Sequence, residues 1–152
     1  MNAFEFHKQP RGPFLFDFYK HPVSIPSPLG EFTVELQMAV GDTGPPDQAM
    51  IDTADDLVTQ FTADEDRITK LVFEQYKTVS DEPDWLDECE IPLGLATDEL
   101  GPYLHACTLS IRRDLDNRNE PYSARVHMLP QWDEEHGLYF KRGGDGWIRV
   151  DC

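Results

Sequence analysis

A chain of 152 residues that is 39% hydrophobic, 11% aromatic and 28% charged has the size and apolar content of one ordinary domain. That excludes disorder over its whole length and a two-domain enzyme with a separate cofactor module. Its net charge of −16 is local: acids number 4 against 3 bases in residues 1–41, 17 against 3 in 42–102, and 8 against 7 in 103–152, so the middle segment alone carries −14, a field that repels nucleic acid and anionic membrane and steers a cationic partner.

Apolar runs such as Phe14-Leu15-Phe16 fall far short of the ~20 residues of a membrane helix, and the N-terminus lacks the basic-then-apolar order of a signal peptide. A cytoplasmic protein is expected, with no membrane contact. Cys89, Cys107 and Cys152 are widely spaced with no C-x-x-C pair, which fits reduced thiols rather than zinc or redox chemistry.

In chain order, residues 1–11 are expected to be flexible. From 14 to 19, Phe14, Phe16 and Phe18 alternate with Leu15, Asp17 and Tyr19. From 31 to 38, Phe32, Val34, Leu36 and Met38 alternate with Glu31, Thr33, Glu35 and Gln37. Period 2 predicts two strands, each with one face on a core. The link Pro26-Ser27-Pro28-Leu29-Gly30 has loop chemistry, which makes the strands a hairpin or a neighbouring antiparallel pair.

Pro45-Pro46-Asp47 suits a helix start. Met50, Ile51, Ala54, Leu57, Val58 and Phe61 then form one stripe that leaves Asp52, Asp55 and Asp56 outside. A second helix is expected from about Asp64, with Ile68, Leu71, Val72 and Tyr76 on its stripe and a capping box from Thr62 to Glu65. Both amphipathic helices should pack on one face of the sheet. Residues 80–100 are polar and acidic, with Asp81, Glu82, Asp84, Asp87, Glu88 and Glu90 interrupted by Trp85, Leu86, Ile91 and Leu93. An ordered loop with a helical turn pinned by Trp85 is expected there, and loops of this length are usually functional.

The last third returns to alternation. Tyr103, His105, Cys107, Leu109 and Ile111 form one face of a strand, and Ala124, Val126 and Met128 one face of the next. A turn centred between Asn117 and Arg118 sets Cys107 opposite Met128, Leu109 opposite Val126 and Ile111 opposite Ala124, so the apolar faces coincide. Residues 138–142 and 147–151 add two strands through the glycine-rich turn Gly143-Gly144-Asp145-Gly146. The fold class is therefore α+β: a mostly antiparallel sheet, made of an N-terminal strand pair and a C-terminal four-strand meander, with two helices.

Candidate chemistry is sparse. His105 and Cys107, two apart on one strand face, have the spacing of two metal ligands, but that face is apolar and supplies no further N or S ligand, so a half-buried imidazole and a core thiol are the simpler reading. His127 shares the polar face with Arg125, Arg112 and Ser110, a basic strip that solvates the sheet or meets an anion. Trp132-Asp133-Glu134-Glu135-His136-Gly137-Leu138 is the most distinctive segment. Its carboxylates and imidazole could ligate a divalent metal or pair for acid–base work. The simpler reading is a reverse turn in which Asp133 bonds backbone N–H groups, Gly137 supplies positive φ and Trp132 plugs the sheet edge. No H-E-x-x-H, G-x-S-x-G, G-x-x-x-x-G-K-[ST] or G-x-G-x-x-G motif occurs in the chain.

The same segment, followed by a strand, a glycine turn and a short last strand, resembles the C-terminal signature W-D-x-E-H-G-[LI] of a bacterial family of unknown function. The resemblance extends over residues 12–151 and implies N-terminal strands, two amphipathic helices and a closing meander. It implies no activity, cofactor or catalytic residue. Size and charge are similar to those of immunity proteins of bacterial toxin systems.

The expected function is thus a non-enzymatic binding domain that presents an acidic helix-and-loop surface, residues 47–99, to a basic protein. Its contact residues would be Asp52, Asp55, Asp56, Asp84, Trp85, Asp87 and Glu88, joined by Trp132, Asp133, Glu135 and His136 of the turn. The competing expectation is a metal-binding domain or metal-dependent enzyme built on Asp133, Glu135 and His136.

Overall fold

A computed structural model of the chain describes residues 6–10, 17–22, 24–39, 41–42, 44–113, 122–143 and 146–150. Among these described residues eight strands run in the order β1 (His7–Lys8), β2 (Phe18–Lys20), β3 (Ile25–Ser27), β4 (Gly30–Gln37), β5 (Leu104–Arg113), β6 (Tyr122–Pro130), β7 (Leu138–Gly143) and β8 (Gly146–Val150). Three α-helices, α1 (Gln48–Ala63), α2 (Glu65–Ser80) and α3 (Pro83–Glu88), and two 3₁₀ turns fill the connection between β4 and β5. The sheet order is β1-β2-β4-β5-β6-β7-β8, with β3 paired to β4. Every pairing is antiparallel except β4 with β5. That one parallel pair joins the N-terminal strands to the meander, and it requires the long helical crossover that parallel neighbours need. Among the described residues no helix is long and apolar enough to cross a membrane.

One face of the sheet carries Val34 and Leu36 of β4, Leu109 and Ile111 of β5, Ala124, Val126 and Met128 of β6, Leu138 and Phe140 of β7 and Trp147 of β8, all buried. The register sets Val34 beside Leu109, Leu109 beside Val126 and Val126 beside Phe140, so the apolar sets of four strands form one continuous surface. The helices cover it. Phe61 of α1 meets Phe32 and Trp147 edge-on at 4.8 and 6.2 Å, and Tyr76 of α2 lies 5.5 Å from Trp132.

Helix α1 begins as its sequence predicts: Asp47 is the N-cap and its carboxylate accepts a 2.8 Å hydrogen bond from Met50 N, worth about 1 kcal/mol. Met50, Ile51, Ala54 and Phe61 are buried, with Leu57 and Val58 packed at the margin. The expected capping box does not form. α1 runs on through Ala63, so the Thr62 hydroxyl donates to Val58 O at 3.0 Å, and Asp64 becomes the junction between the helices.

Two further expectations are corrected. In β2 the inward residue is Tyr19, buried like Asp17 just before the strand, while Phe18 is half-buried on the other side. Asp17 is met by Lys8 at 3.6 Å. Phe14 and Phe16 lie outside the described residues. Pro26 and Ser27 belong to a strand rather than a loop, because β3 pairs with Gly30, Glu31 and Phe32 across a tight Pro28-Leu29 turn, where Gly30 adopts φ +99°. Ahead of these, Phe6 is buried and β1 pairs with β2.

The β5–β6 register follows the expected pairing from Thr108 to Arg113 and then slips at a bulge between His105 and Thr108, where Ala106 adopts φ +50°. Below the bulge His105 lies opposite Leu129 and Leu104 opposite Pro130. Leu104 is therefore buried and His105 exposed, whereas Cys107 stays buried. A bulge inserts one residue and reverses which side chains face inward, so His105 and Cys107 do not share a face and form no ligand pair. The turn residues 114–121 lie outside the described residues.

Candidate functional site

The segment after α2 folds against the turn after β6. α3 starts with Pro83 at its first position, where the missing N–H costs nothing. It closes with Ile91 N donating to Leu86 O at 2.9 Å and Glu90 N donating to Asp87 O at 3.1 Å. This is a Schellman closure with Glu90 at φ +60° in the position usually held by glycine. The Trp85 indole N–H donates to Trp132 O at 2.8 Å, and Gln131 Nε2 donates to Cys89 O at 2.8 Å. The Gln131 amide oxygen accepts from His105 Nε2 at 3.1 Å. Tyr76 OH donates to Pro92 O at 2.8 Å and accepts from Leu95 N at 3.2 Å, which holds the chain beyond α3.

Trp132 is the hub. Its ring is 1% exposed and its indole N–H donates to the buried Gln75 side chain of α2. Its carbonyl receives Trp85, so one residue ties β6 to both α2 and α3. The following residues make the reverse turn expected from sequence. Asp133 Oδ1 accepts from His136 N at 3.3 Å and pairs with His136 Nδ1 at 2.9 Å, Gly137 N donates to Asp133 O at 3.0 Å, and Gly137 sits at φ +75°. A Cβ on Gly137 would lie 3.0 Å from His127 Nε2 and 3.2 Å from Met128 O. The hydrogen bond to Asp133, aided by the charges of Asp133 and Glu135, raises the His136 pKa above its ordinary value. The Cys89 thiol is raised by partial burial and then by the negative charges of Glu88, Glu134 and Asp133, which marks the acids of α3 and of the turn as near neighbours.

The structure therefore brings Asp84, Trp85, Asp87 and Glu88 together with Trp132, Asp133, Glu135 and His136 at the Pro130 end of β6. Asp52, Asp55 and Asp56 are elsewhere. They lie on α1, whose cap Asp47 meets Arg113 at 3.5 Å and Tyr122 OH at 3.5 Å, at the far end of a nine-residue strand roughly 30 Å long at the usual rise. Two carboxylates at that far end are paired: Asp42 with Arg113 at 3.2 Å and Asp64 with Arg142 at 3.3 Å. At the Pro130 end, no lysine or arginine among the described residues forms an ion pair with Asp84, Asp87, Glu88, Glu134 or Glu135. Trp85 is 45% and Leu93 58% exposed beside them.

Gln75, Gln131 and the Cys89 carbonyl, which fasten this region, were not among the residues expected to form a site. Among the described residues no three His, Cys, Asp or Glu side chains gather closely enough to hold a metal ion; Asp133 is turned onto His136 inside the turn.

On the sheet's other face, Ser110, Arg125 and Lys141 form one cross-strand row and Thr108, His127 and Tyr139 the next. His127 stacks on Tyr139 with ring centroids 4.3 Å apart, and burial lowers its pKa, which favours the neutral imidazole. Cys107 is inert: burial pushes its thiol up to about 11.

These features define an α+β domain with an eight-stranded, mostly antiparallel sheet and an acidic, aromatic-bearing corner. The sequence model of a family described as Domain of unknown function (DUF6985) matches residues 9–150, and the chain belongs to that family. No curated protein and no solved structure matches it.

Proposed function

We propose that the chain is a non-enzymatic protein-binding domain whose α3 and Trp132–His136 corner receives a basic protein in the cytoplasm, as an immunity-type protein of a bacterial toxin system neutralises a cationic toxin. The observation that carries this reading is Trp85. It is a large aromatic side chain 45% exposed, yet its indole N–H is fixed on Trp132 O, and the carboxylates of its own helix, Asp84, Asp87 and Glu88, pair with no lysine or arginine among the described residues. Rigid exposed tryptophans lose little entropy on docking and are over-represented among binding hot spots. The surrounding charge speeds encounter with a cation-rich surface and confers sensitivity to salt. An arginine of the partner would stack on the indole while its charge meets Asp84 or Glu88. The outlying acids Asp52, Asp55 and Asp56 contribute long-range steering only.

The test is capture of a basic protein on the tagged chain at low salt, followed by titration of the purified pair. Affinity should fall about tenfold or more between ~50 and ~500 mM salt, and Trp85→Ala should weaken it at every salt concentration. Affinity that ignores both salt and Trp85 would refute the reading.

A further inference from the structure

β8 is the last strand of the sheet, and among the described residues no strand pairs with its second edge. Open edges are normally blunted by proline, bulges or inward charges. Gly146–Val150 has no proline, its pairing with β7 is regular throughout, and its one charged residue, Arg149, shares the face of Phe140 but is exposed. Its central residue, Ile148, is 50% exposed.

The hairpin sets what this edge offers. Gly143 and Gly146 pair across a two-residue link, which makes them a hydrogen-bonded pair, and such pairs alternate along an antiparallel ladder. Lys141 with Ile148 and Tyr139 with Val150 are the next two hydrogen-bonded pairs. The N–H and C=O groups of Ile148 and Val150 are therefore spent on β7, and those of Trp147 and Arg149 point to the open edge.

We propose that this edge pairs with the β8 edge of a second copy of the chain, antiparallel about a two-fold axis at Ile148. In that register Trp147 of each copy lies opposite Arg149 of the other, so the outward groups meet as two hydrogen-bonded pairs and close four backbone hydrogen bonds. Ile148 meets its own counterpart at the non-hydrogen-bonded position, where side chains are closest, and exposed apolar surface is buried on both sides. Gly146 meets Val150, so no like charges come opposite one another. Residues 103–152, which include β8, carry 8 acids against 7 bases, so the edge lies in a nearly neutral segment, outside the residues 42–102 that carry most of the charge. A symmetric contact of this kind closes at two copies and does not propagate.

The test is mass against concentration by sedimentation equilibrium, with the full chain. A contact this small should give a weak dimer, so the mass should climb from 17.5 kDa toward twice that value across about 1 to 500 µM, the weak end of the affinity scale. Arg149→Pro deletes an N–H that faces only the open edge and leaves the β7 ladder intact. It should keep the mass at the monomer value throughout, with an unchanged unfolding midpoint in dilute solution. Ile148→Lys, which sets two lysines face to face, should do the same and serves if the proline variant does not fold. A wild-type chain that stays at 17.5 kDa over the whole range would overturn the proposal and leave the edge to an extended segment of another protein. A dimer that persists in the folded variants would overturn it by placing the contact elsewhere.

Discussion

At the Tyr122 end of β6, Asp42 and Asp47 face Arg113 and Asp64 faces Arg142. At the Pro130 end, Asp84, Asp87, Glu88 and Glu135 meet no lysine or arginine among the described residues. Both groups come from the same acidic stretch or from the turn packed against it, yet they do different physical work. The paired acids fasten the crossover helices to the sheet. The unpaired acids make no such tie to a cationic side chain among the described residues, so their charge is left for the proposed partner. What holds the Pro130 end together is aromatic and amide bonding through Trp132, Gln75, Trp85 and Gln131. Net charge alone does not distinguish these cases; the arginines of β5 and β7 do.

The contrast predicts where stability lives. Trp132→Ala removes a fully buried ring along with the partners of Gln75 and Tyr76, and should cost about 3–5 kcal/mol in urea unfolding; a cost below about 1 kcal/mol would mean that the hub is misassigned. Gly137→Ala should cost about 1–3 kcal/mol, because φ +75° disfavours a Cβ that also crowds His127 and Met128 O. At the opposite end, Arg113→Ala should cost only about 1 kcal/mol or less, since the pair is partly exposed, and the difference should shrink in high salt. If Arg113→Ala were as damaging as Trp132→Ala, the division between the two ends would fail.

The smallest effect is in pH. His136 has a folded-state pKa above its ordinary 6.5. The bond to Asp133 therefore contributes stability that is fully present below about pH 6.5 and is lost as pH rises through the raised folded value. A nuclear magnetic resonance titration should show His136 titrating above the ordinary value, and Asp133→Asn should bring it back down. An unchanged titration in that variant would contradict the pairing.

Much of this was readable from residues. The stripe Met50 to Phe61, the Asp47 cap and the Thr108–Arg113 register each rest on local patterning that the packing reinforces. The turn at Asp133 and Gly137 was legible because its residues carry their own turn chemistry. Four features were not. The bulge at Ala106 places a non-glycine residue at positive φ, which has no compositional mark, and it moves His105 out to solvent. The buried residue just before β2 is an aspartate that needs Lys8 from another strand. The parallel β4–β5 pair is a long-range choice that no local period encodes. The corner itself depends on Trp85 reaching a carbonyl 47 positions away, so the sequence offered two separate acidic segments and only the fold joins them.

The most direct test compares two neutralised forms of the tagged chain, Asp84→Asn/Asp87→Asn/Glu88→Gln and Asp52→Asn/Asp55→Asn/Asp56→Asn, by quantitative capture of the basic partner at low salt. The account predicts that the first loses the partner by about tenfold or more, the equivalent of ~1.4 kcal/mol, and remains as stable as the wild type, while the second keeps most of the partner. Equal retention by the two forms, or loss only in the α1 form, would contradict the claim that the Trp85 corner is the binding surface.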